Sequence, residues 1–364
     1  MNICIIGDGL TSLSLAKNLV NKKINVHIYQ REKINNSYSN RTIGITKNNL
    51  DFFNREINIF PKRNIWNVKK IEIFSDKTKD DKILNFENKN NLFYIVKNNQ
   101  LYQMLNNKLL KSKFFKRIII KKEDFYKKLL NGNKYNLIIN CDSSNFIAKK
   151  YFYRKIDKDY CNIAYTTILK HTKLENSTAV QVFTKFGPIA FLPMSNTETS
   201  VVCSLEIKNK KYTNEEVINL IKKYNQKLKI KKILDLNSFK LKSSNLRNYY
   251  YKNVLAFGDS LHKIHPLAGQ GFNMTIRDIK IFSKIIQNKI DLGIQLDSLV
   301  LQEFEKKTRH LNFVFSNGVD FIYEIFNFDK KTKNKNFSKF LRYFEKNEKL
   351  KNIIIKFADN GLSL

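Results

Sequence analysis

The stretch NICIIGDGLTSLSLAKNLVNKKINVHIY, residues 2–29, decides how this chain begins to fold. An apolar run ends on two glycines one residue apart, and LTSLSLAKNLV then places its apolar side chains at helical spacing. INVHIY follows as a second strand, so the order is strand, glycine loop, helix, strand. Gly7 permits a tight turn and Gly9 lets the backbone approach a pyrophosphate. Leu10, Thr11 and Ser12 open a helix whose first N–H groups have no acceptor within the helix. Ser12 stands at the third, small position of a GxGxxG pattern. An acid is expected at the end of the second strand to hold a ribose. The chain has Gln30 there, followed by Arg31 and Glu32; Gln30 offers a hydrogen bond to a hydroxyl without the charge.

Outward from this βαβ start, 47–57 reads as a helix, VKKIEIF and LFYIV as strands, NQLYQMLNNKLL as an amphipathic helix and YNLIINCD as a strand ending on a turn. Between about 160 and 208 the pattern changes to long alternating strands: IAYTTILKHT, AVQVFTKF, PIAFLPM and TSVVCSLEI. A helix over 214–228 closes that section, KNVLAFGDS returns to a buried strand, and a helix runs from about 269 to 287. The expected class is α/β: a Rossmann-like nucleotide-binding domain interrupted by an antiparallel-sheet domain, with a helical C-terminal tail. The boundaries read as 1–65, 97–158 and 235–294 for the first, 66–96 and 159–234 for the second, and 295–364 for the tail. No other glycine pair opens a helix after a buried strand, so a nicotinamide cofactor would have no Rossmann site of its own.

With 42% hydrophobic residues over 364 positions the chain can bury a large core. Its formal charge of +34 would ordinarily point to nucleic acid. However, 56 of the 66 basic residues are lysine, spread over every segment, and no interleaved aromatic–arginine motif accompanies them. A lysine-coated surface is the better reading, and no nucleic-acid partner is expected. Four scattered cysteines without a CxxC pair exclude a zinc ribbon and fit a reducing compartment. No apolar run approaches ~20 residues, and the first strand starts at once without a basic leader. A cytoplasmic location is expected, peripheral on an inner membrane if the tail docks there.

GDSLHKIHPLAGQGFN, residues 258–273, sets Asp259, His262 and His265 at intervals of three. They could share a metal only on a helix, and Pro266 after a strand argues against one. Ser260 lacks the GxSxG elbow of a nucleophile. A third reading, both histidines hydrogen-bonded in a turn, leaves the glycines unexplained. LAFGDSLHKIHPLAGQGFNMTIRD resembles the Gly-Asp motif of the class A FAD-dependent aromatic monooxygenases. It is most similar to their ubiquinone-biosynthesis hydroxylases, through His265, Pro266, Ala268, Gly269, Gln270, Gly271 and Asn273. AVQVFTKFGPIAFLPM is similar to that family's substrate sheet. NRTIGIT, with Arg41, resembles the segment whose arginine contacts the flavin side. NLIINCDSSN resembles the Asp-Gly motif, with Asp142 in place and Ser143 where glycine is usual.

The resemblance implies a fold like that of para-hydroxybenzoate hydroxylase, FAD as cofactor, NADPH or NADH as reductant, and O2 added to give a flavin C4a-hydroperoxide that attacks a phenol ring. It implies FAD contacts from Gly7, Gly9, Leu10, Thr11, Ser12, Gln30, Arg31, Arg41, Asp142, Gly258, Asp259, Pro266, Gly269, Gln270, Gly271, Phe272 and Asn273. His265 and Pro266 are expected nearest the reacting face, and no metal is expected. Asp259 would accept from ribityl hydroxyls, and the helix beginning near Gly269 would turn its positive end to the flavin. The implied substrate is a lipophilic, polyprenylated phenol in ubiquinone biosynthesis; Tyr165, Phe183, Phe186 and Phe191 could line its cleft or simply fill the sheet core. The alternatives are a flavin monooxygenase on another aromatic, or a non-catalytic FAD-binding scaffold in a quinone-synthesis complex. Phe337, Phe340, Leu341 and Phe344 share a face of a basic tail that could meet anionic lipid, a partner enzyme, or the flavin domain itself.

Overall fold

The computed structural model describes residues 1–32, 41–76, 82–87, 91–120, 124–207, 211–264 and 270–331. The chain opens as its pattern predicts, with β1 (Asn2–Ile6), α1 (Leu10–Asn21) and β2 (Asn25–Arg31), the two strands parallel. β3 (Thr42–Thr46), α2 (Lys47–Glu56), β4 (Ile65–Val68), β5 (Lys70–Ser75), β6 (Lys82–Glu87) and β7 (Phe93–Lys97) follow. α3 (Asn98–Leu110), β8 (Phe115–Ile120), α4 (Asp124–Asn131), β9 (Leu137–Asn140) and α5 (Phe146–Tyr151) return to α/β alternation. Long strands then take over in β10 (Lys155–His171), β11 (Thr178–Thr184), β12 (Gly187–Pro193) and β13 (Glu198–Glu206), ahead of α6 (Asn214–Tyr224). β14 (Ile230–Ile233), β15 (Asn237–Leu246), β16 (Tyr250–Tyr251), β17 (Val254–Ala256), β18 (His262–Lys263), α7 (Gly271–Asp291) and α8 (Ser298–Lys331) complete the described chain.

The first sheet runs β16-β17-β9-β1-β2-β8, with β17, β9, β1, β2 and β8 parallel. Residues 3–6, 137–140 and 254–256 are buried on both faces, which is why these strands read as unbroken apolar runs. The second sheet runs β18-β15-β10-β13-β12-β11-β5-β6, with β14 also on β10. α6 covers one of its faces. Thr213 and Glu216 cap that helix reciprocally, and Val217, Ile221 and Tyr224 pack onto Tyr165, Leu169, Ile189, Phe191 and Val201. On the opposite face lies a small sheet, β3-β7-β4, joined through Val68, Ile95, Ile168, Ala179 and Met194.

Segment 235–294, expected in one piece with the nucleotide-binding part, divides between sheets: β15 pairs with β10, and β17 with β9. The exposed lysines at 240 and 242, alternating with buried Leu241, disguise β15 as a solvated loop. Segment 66–96 divides likewise, β5 and β6 joining the large sheet and β4 and β7 the small one. The expected tail helix near 337–358 lies outside the described residues.

Candidate functional site

Three loops meet where β1, β9 and β17 end, at the carboxyl edge of adjacent parallel strands where α/β sheets open a crevice. Gly7 takes φ +108°, a left-handed conformation that favours glycine, and its N–H donates to Tyr29 O at 2.8 Å. A Cβ there would lie 3.4 Å from Ser12 Oγ and 3.5 Å from Asp142 N, so the first glycine touches both its own helix and the β9 turn. Gly258, at φ +61°, closes the third side: a Cβ would come within 2.5 Å of Thr11 Cγ2. The 7–12 loop and the 258–260 turn are thus pressed together, although 245 residues separate Gly258 from Ser12.

Asp142 stands at the end of β9. Its carboxylate accepts from Ser144 N–H at 2.8 Å and Ser144 Oγ at 2.6 Å, and Arg31 Nε lies 3.9 Å away. Arg31 also donates to Tyr126 Oη at 3.5 Å. Behind this turn Asn140 and Asn145 are buried and pair through their side-chain amides, and Asn145 caps α5 by accepting from Ala148 N–H at 2.8 Å. Burial pushes the neighbouring Cys141 thiol up to about 12, with Asp259 and Asp142 adding to the rise and Ser12 opposing it. Phe257 N–H donates to Asn140 O at 2.9 Å, which sets the Asp259 turn beside the end of β9, and Asp259 is exposed.

His265, Pro266 and Gly269 lie outside the described residues. Gln270 caps α7 with its backbone, and Phe272 packs partly buried against the core. Asn273 is 5% exposed and fully engaged: it accepts from Thr46 N–H and Asn49 Nδ2, each at 3.0 Å, and donates to Gly44 O at 2.9 Å. Its side chain pins α7 to β3, leaving only its backbone for a ligand. Arg41, just before β3, stacks over the Phe239 ring at 4.6 Å on the large sheet rather than beside Gly7 or Asp142.

His262 does not join Asp259. Its Nε2 lies 2.6 Å from Asp278 Oδ2, with both side chains buried. The other Asp278 oxygen accepts from Arg277, which also donates to Asn312, and Asn312 donates to Tyr249 Oη at 3.3 Å. Burial alone would raise the Asp278 carboxyl; Arg277 and His262 more than offset this and hold it below the usual range. The sequence reading passed over Asp278 and Arg277, although the RD pair at spacing seven and eight from Gln270 was their only signal. Among the described residues, no three His, Cys, Asp or Glu side chains are grouped to hold a metal.

The cradle fits a flavin dinucleotide. Gln30 Oε1, Ser260 Oγ and Gln270 Oε1 are buried without a hydrogen-bond partner. A Cβ added at Gly9 or Gly271 would meet nothing within 4 Å, so backbone there faces open space. The first turns of α1 and α7 carry neither a side-chain cap nor an acid, leaving N–H groups for an anionic or electron-rich ligand. On the large sheet, Tyr165 and Phe191 are core residues beneath α6 and Phe186 packs against them, while Phe183 projects to the opposite face by alternation from Val182. Among the described residues, no helix is long and apolar enough to cross a membrane.

The squalene epoxidase family model matches residues 136–360. The mitochondrial ubiquinone biosynthesis monooxygenase COQ6 of Dictyostelium discoideum is 24% identical, over 89% of this chain and 84% of that protein. The 3-demethoxyubiquinol 3-hydroxylase of Escherichia coli (strain K12) is 29% identical, over 39% of this chain and 38% of that one. Among solved structures, p-nitrophenol 4-monooxygenase PnpA from Pseudomonas putida DLL-E4 superposes with a TM-score of 0.77 at 13% identity, covering 100% of this chain and 98% of that chain. Klebsiella pneumoniae HpxO complexed with FAD and uric acid superposes with a TM-score of 0.72 at 12% identity, covering 99% and 96%. At these identities the structural likeness is one of fold.

Proposed function

The chain belongs to the squalene epoxidase family and to the ubiquinone-biosynthesis hydroxylases within its reach, and from that premise we propose that it is an FAD-dependent monooxygenase. In this reading it hydroxylates the aromatic ring of a polyprenylated phenol, using NADPH or NADH and O2. The observation that carries the reading is the joining of the 7–12, 142–144 and 258–260 turns into one cradle with orphaned Gln30, Ser260 and Gln270 around it. The ubiquinone hydroxylase relatives support the substrate class.

FAD, when bound, supplies two-electron reduction and activation of O2. The protein's own part is to bind, orient and exclude water. The free N–H groups at the start of α1 would hold the pyrophosphate against Gly7 and Gly9, and Gln30 would accept from the adenosine ribose. Asp259 would accept from ribityl hydroxyls, with Leu10, Thr11 and Ser12 packed beneath. The backbone from Gly269 to Asn273 would present the positive end of α7 to the ring system. Asp142 and Phe272 are assigned to the same site, and Arg41 is assigned to the substrate side through its stacking on Phe239. His265 and Pro266, outside the described residues, are proposed to act at the reacting face.

An absorbance spectrum of the purified protein, taken before and after anaerobic NADPH, tests the reading. Bound oxidised flavin that bleaches on reduction is expected; no flavin under any condition refutes it. Flavin that stays oxidised would mark a non-catalytic scaffold instead. Product mass spectrometry over a panel of phenols separates a prenylated substrate from another aromatic. Sedimentation with anionic vesicles tests whether the basic tail docks on lipid, and co-purification tests a place in a quinone-synthesis assembly.

A further inference from the structure

Thr166, in the middle of β10, is 6% exposed, and its hydroxyl has no hydrogen-bond partner. Its neighbour Thr167 turns the other way and donates to Leu234 O at 2.6 Å, as a buried hydroxyl ordinarily does. Thr166 belongs to the sheet face away from α6. Tyr165 and Leu169 lie in the core under that helix, whereas Ala164 and Ile168 lie in clusters on the opposite side.

On that face β3 bridges to the flavin cradle. Thr42 Oγ1 donates to Ser200 Oγ at 2.9 Å, while Gly44 and Thr46 are held by Asn273 in the first turn of α7. Two to four strand residues separate these anchors, roughly 7–13 Å at ~3.3 Å per residue. Ser200 pairs with Ile168, two residues from Thr166 on one side. Ala164, two residues away on the other, pairs with Phe239, the ring beneath Arg41. Thr166 is thus bracketed by the points where Arg41 and Thr42 meet the sheet.

Across the strands, Thr166 stands opposite Val202, Val202 opposite Ala190, and Ala190 opposite Gln181. Val202 and Ala190 are small and half-buried, while the bulky Tyr165, Phe191 and Val201 point the other way. From Thr166 to Ala190 the row runs roughly 10 Å at ~4.8 Å between strands, and the polar Gln181 ends it. One buried polar group followed by a low apolar floor suits a ligand with a polar head and a greasy extension.

We propose that Thr166 receives the phenolic oxygen of the substrate and that the Val202–Ala190 row carries its apolar chain. A threonine hydroxyl both donates and accepts, so it pairs with a phenol in either sense. This assignment rests on the function proposed above.

The test titrates the FAD-reconstituted protein with 2-geranylphenol and with its methyl ether, following the change in flavin absorbance. Wild type is expected to bind the phenol about tenfold more tightly than the ether. Thr166→Val keeps the side-chain shape and should bring the two Kd values together, with flavin content unchanged; Thr166→Ser should restore the difference. A phenol preference that persists in Thr166→Val overturns the assignment. Ala190→Phe should weaken 2-geranylphenol and spare unsubstituted phenol, and equal loss of both overturns the apolar row. Wild-type protein that holds flavin yet responds to neither probe defeats the hydroxylase reading and this inference with it.

Discussion

Asp278→Asn preserves the shape of the side chain and removes only its charge, so its effect reports the buried ion pair alone. Asp278 is fully buried, 2.6 Å from His262 and 2.8 Å from Arg277, whose side chain is 11% exposed. Breaking a buried pair by removing one partner leaves the other charge without compensation and costs about 3–5 kcal/mol. For a chain longer than most calibrated domains, ~2 °C per kcal/mol gives a fall in Tm of roughly 6–10 °C. Thermal denaturation of flavin-free protein at neutral pH, followed by intrinsic fluorescence, measures it. The pH dependence carries a second check. Because the Asp278 carboxyl is held below its ordinary value, its stabilisation is complete above the unfolded pKa near ~4 and is lost as pH falls through the depressed folded value. The gap between wild type and variant should therefore close on acidification, and His262→Gln should be non-additive with Asp278→Asn. A Tm shift below ~2 °C at neutral pH, with no closing of the gap in acid, would refute the reasoning.

The glycines should separate by role. Gly258→Ala forces a left-handed alanine against Thr11 and should lower the Tm of flavin-free protein, whereas Gly9→Ala should leave that Tm alone and lose flavin, read as the flavin-to-protein ratio. Asp259→Ala should fold normally and bind FAD roughly tenfold to hundredfold more weakly, from one charge-assisted hydrogen bond lost; wild-type affinity by fluorescence titration would contradict the role given to that carboxylate. Asn273→Ala strands the Thr46 N–H and Gly44 O and should cost about 2–4 kcal/mol in urea unfolding, with an unchanged midpoint as the contrary result.

What could be read from the sequence follows from where each signal is stored. The βαβ start was legible because β1 and β2 are short, apolar and broken by Gly7 and Gly9, all within thirty residues. The long strands at 178–206 were legible by alternation. β15 was not, because its outward lysines at 240 and 242 and its run of serines resemble a loop until β10 supplies a partner. The cradle's membership was partly readable: Gly7, Ser12, Asp142 and Gly258 do converge. The contact that closes it, Gly258 on Thr11, depends on two strands pairing through β9, which no local pattern encodes. Arg41 shows the same limit. Its motif was visible, yet its ring partner Phe239 lies on a strand that the sequence hid.

The first two turns of α7 explain the part that His262 plays in the 258–273 run. Gln270 and Gly271 end in open, uncapped N–H groups, an arrangement useful to a ligand only if the helix axis is held still. Three anchors hold it. Asn273 ties it to β3, Asp278 to β18 through His262, and Arg277 to α8 through Asn312. Residues 273 and 277 share one stripe of the helix, and 278 lies on the next. Asn273 spends its side chain on β3 while its backbone faces the cradle, the other two anchors bind away from it, and each fixes the direction in which the positive end of α7 points. His262 is therefore a support: on β18, sixteen residues before Asp278 in the chain, it holds the carboxylate that fixes α7. Loss of that pair should appear in flavin affinity as well as in Tm, since the loosened helix is the one that faces the ring.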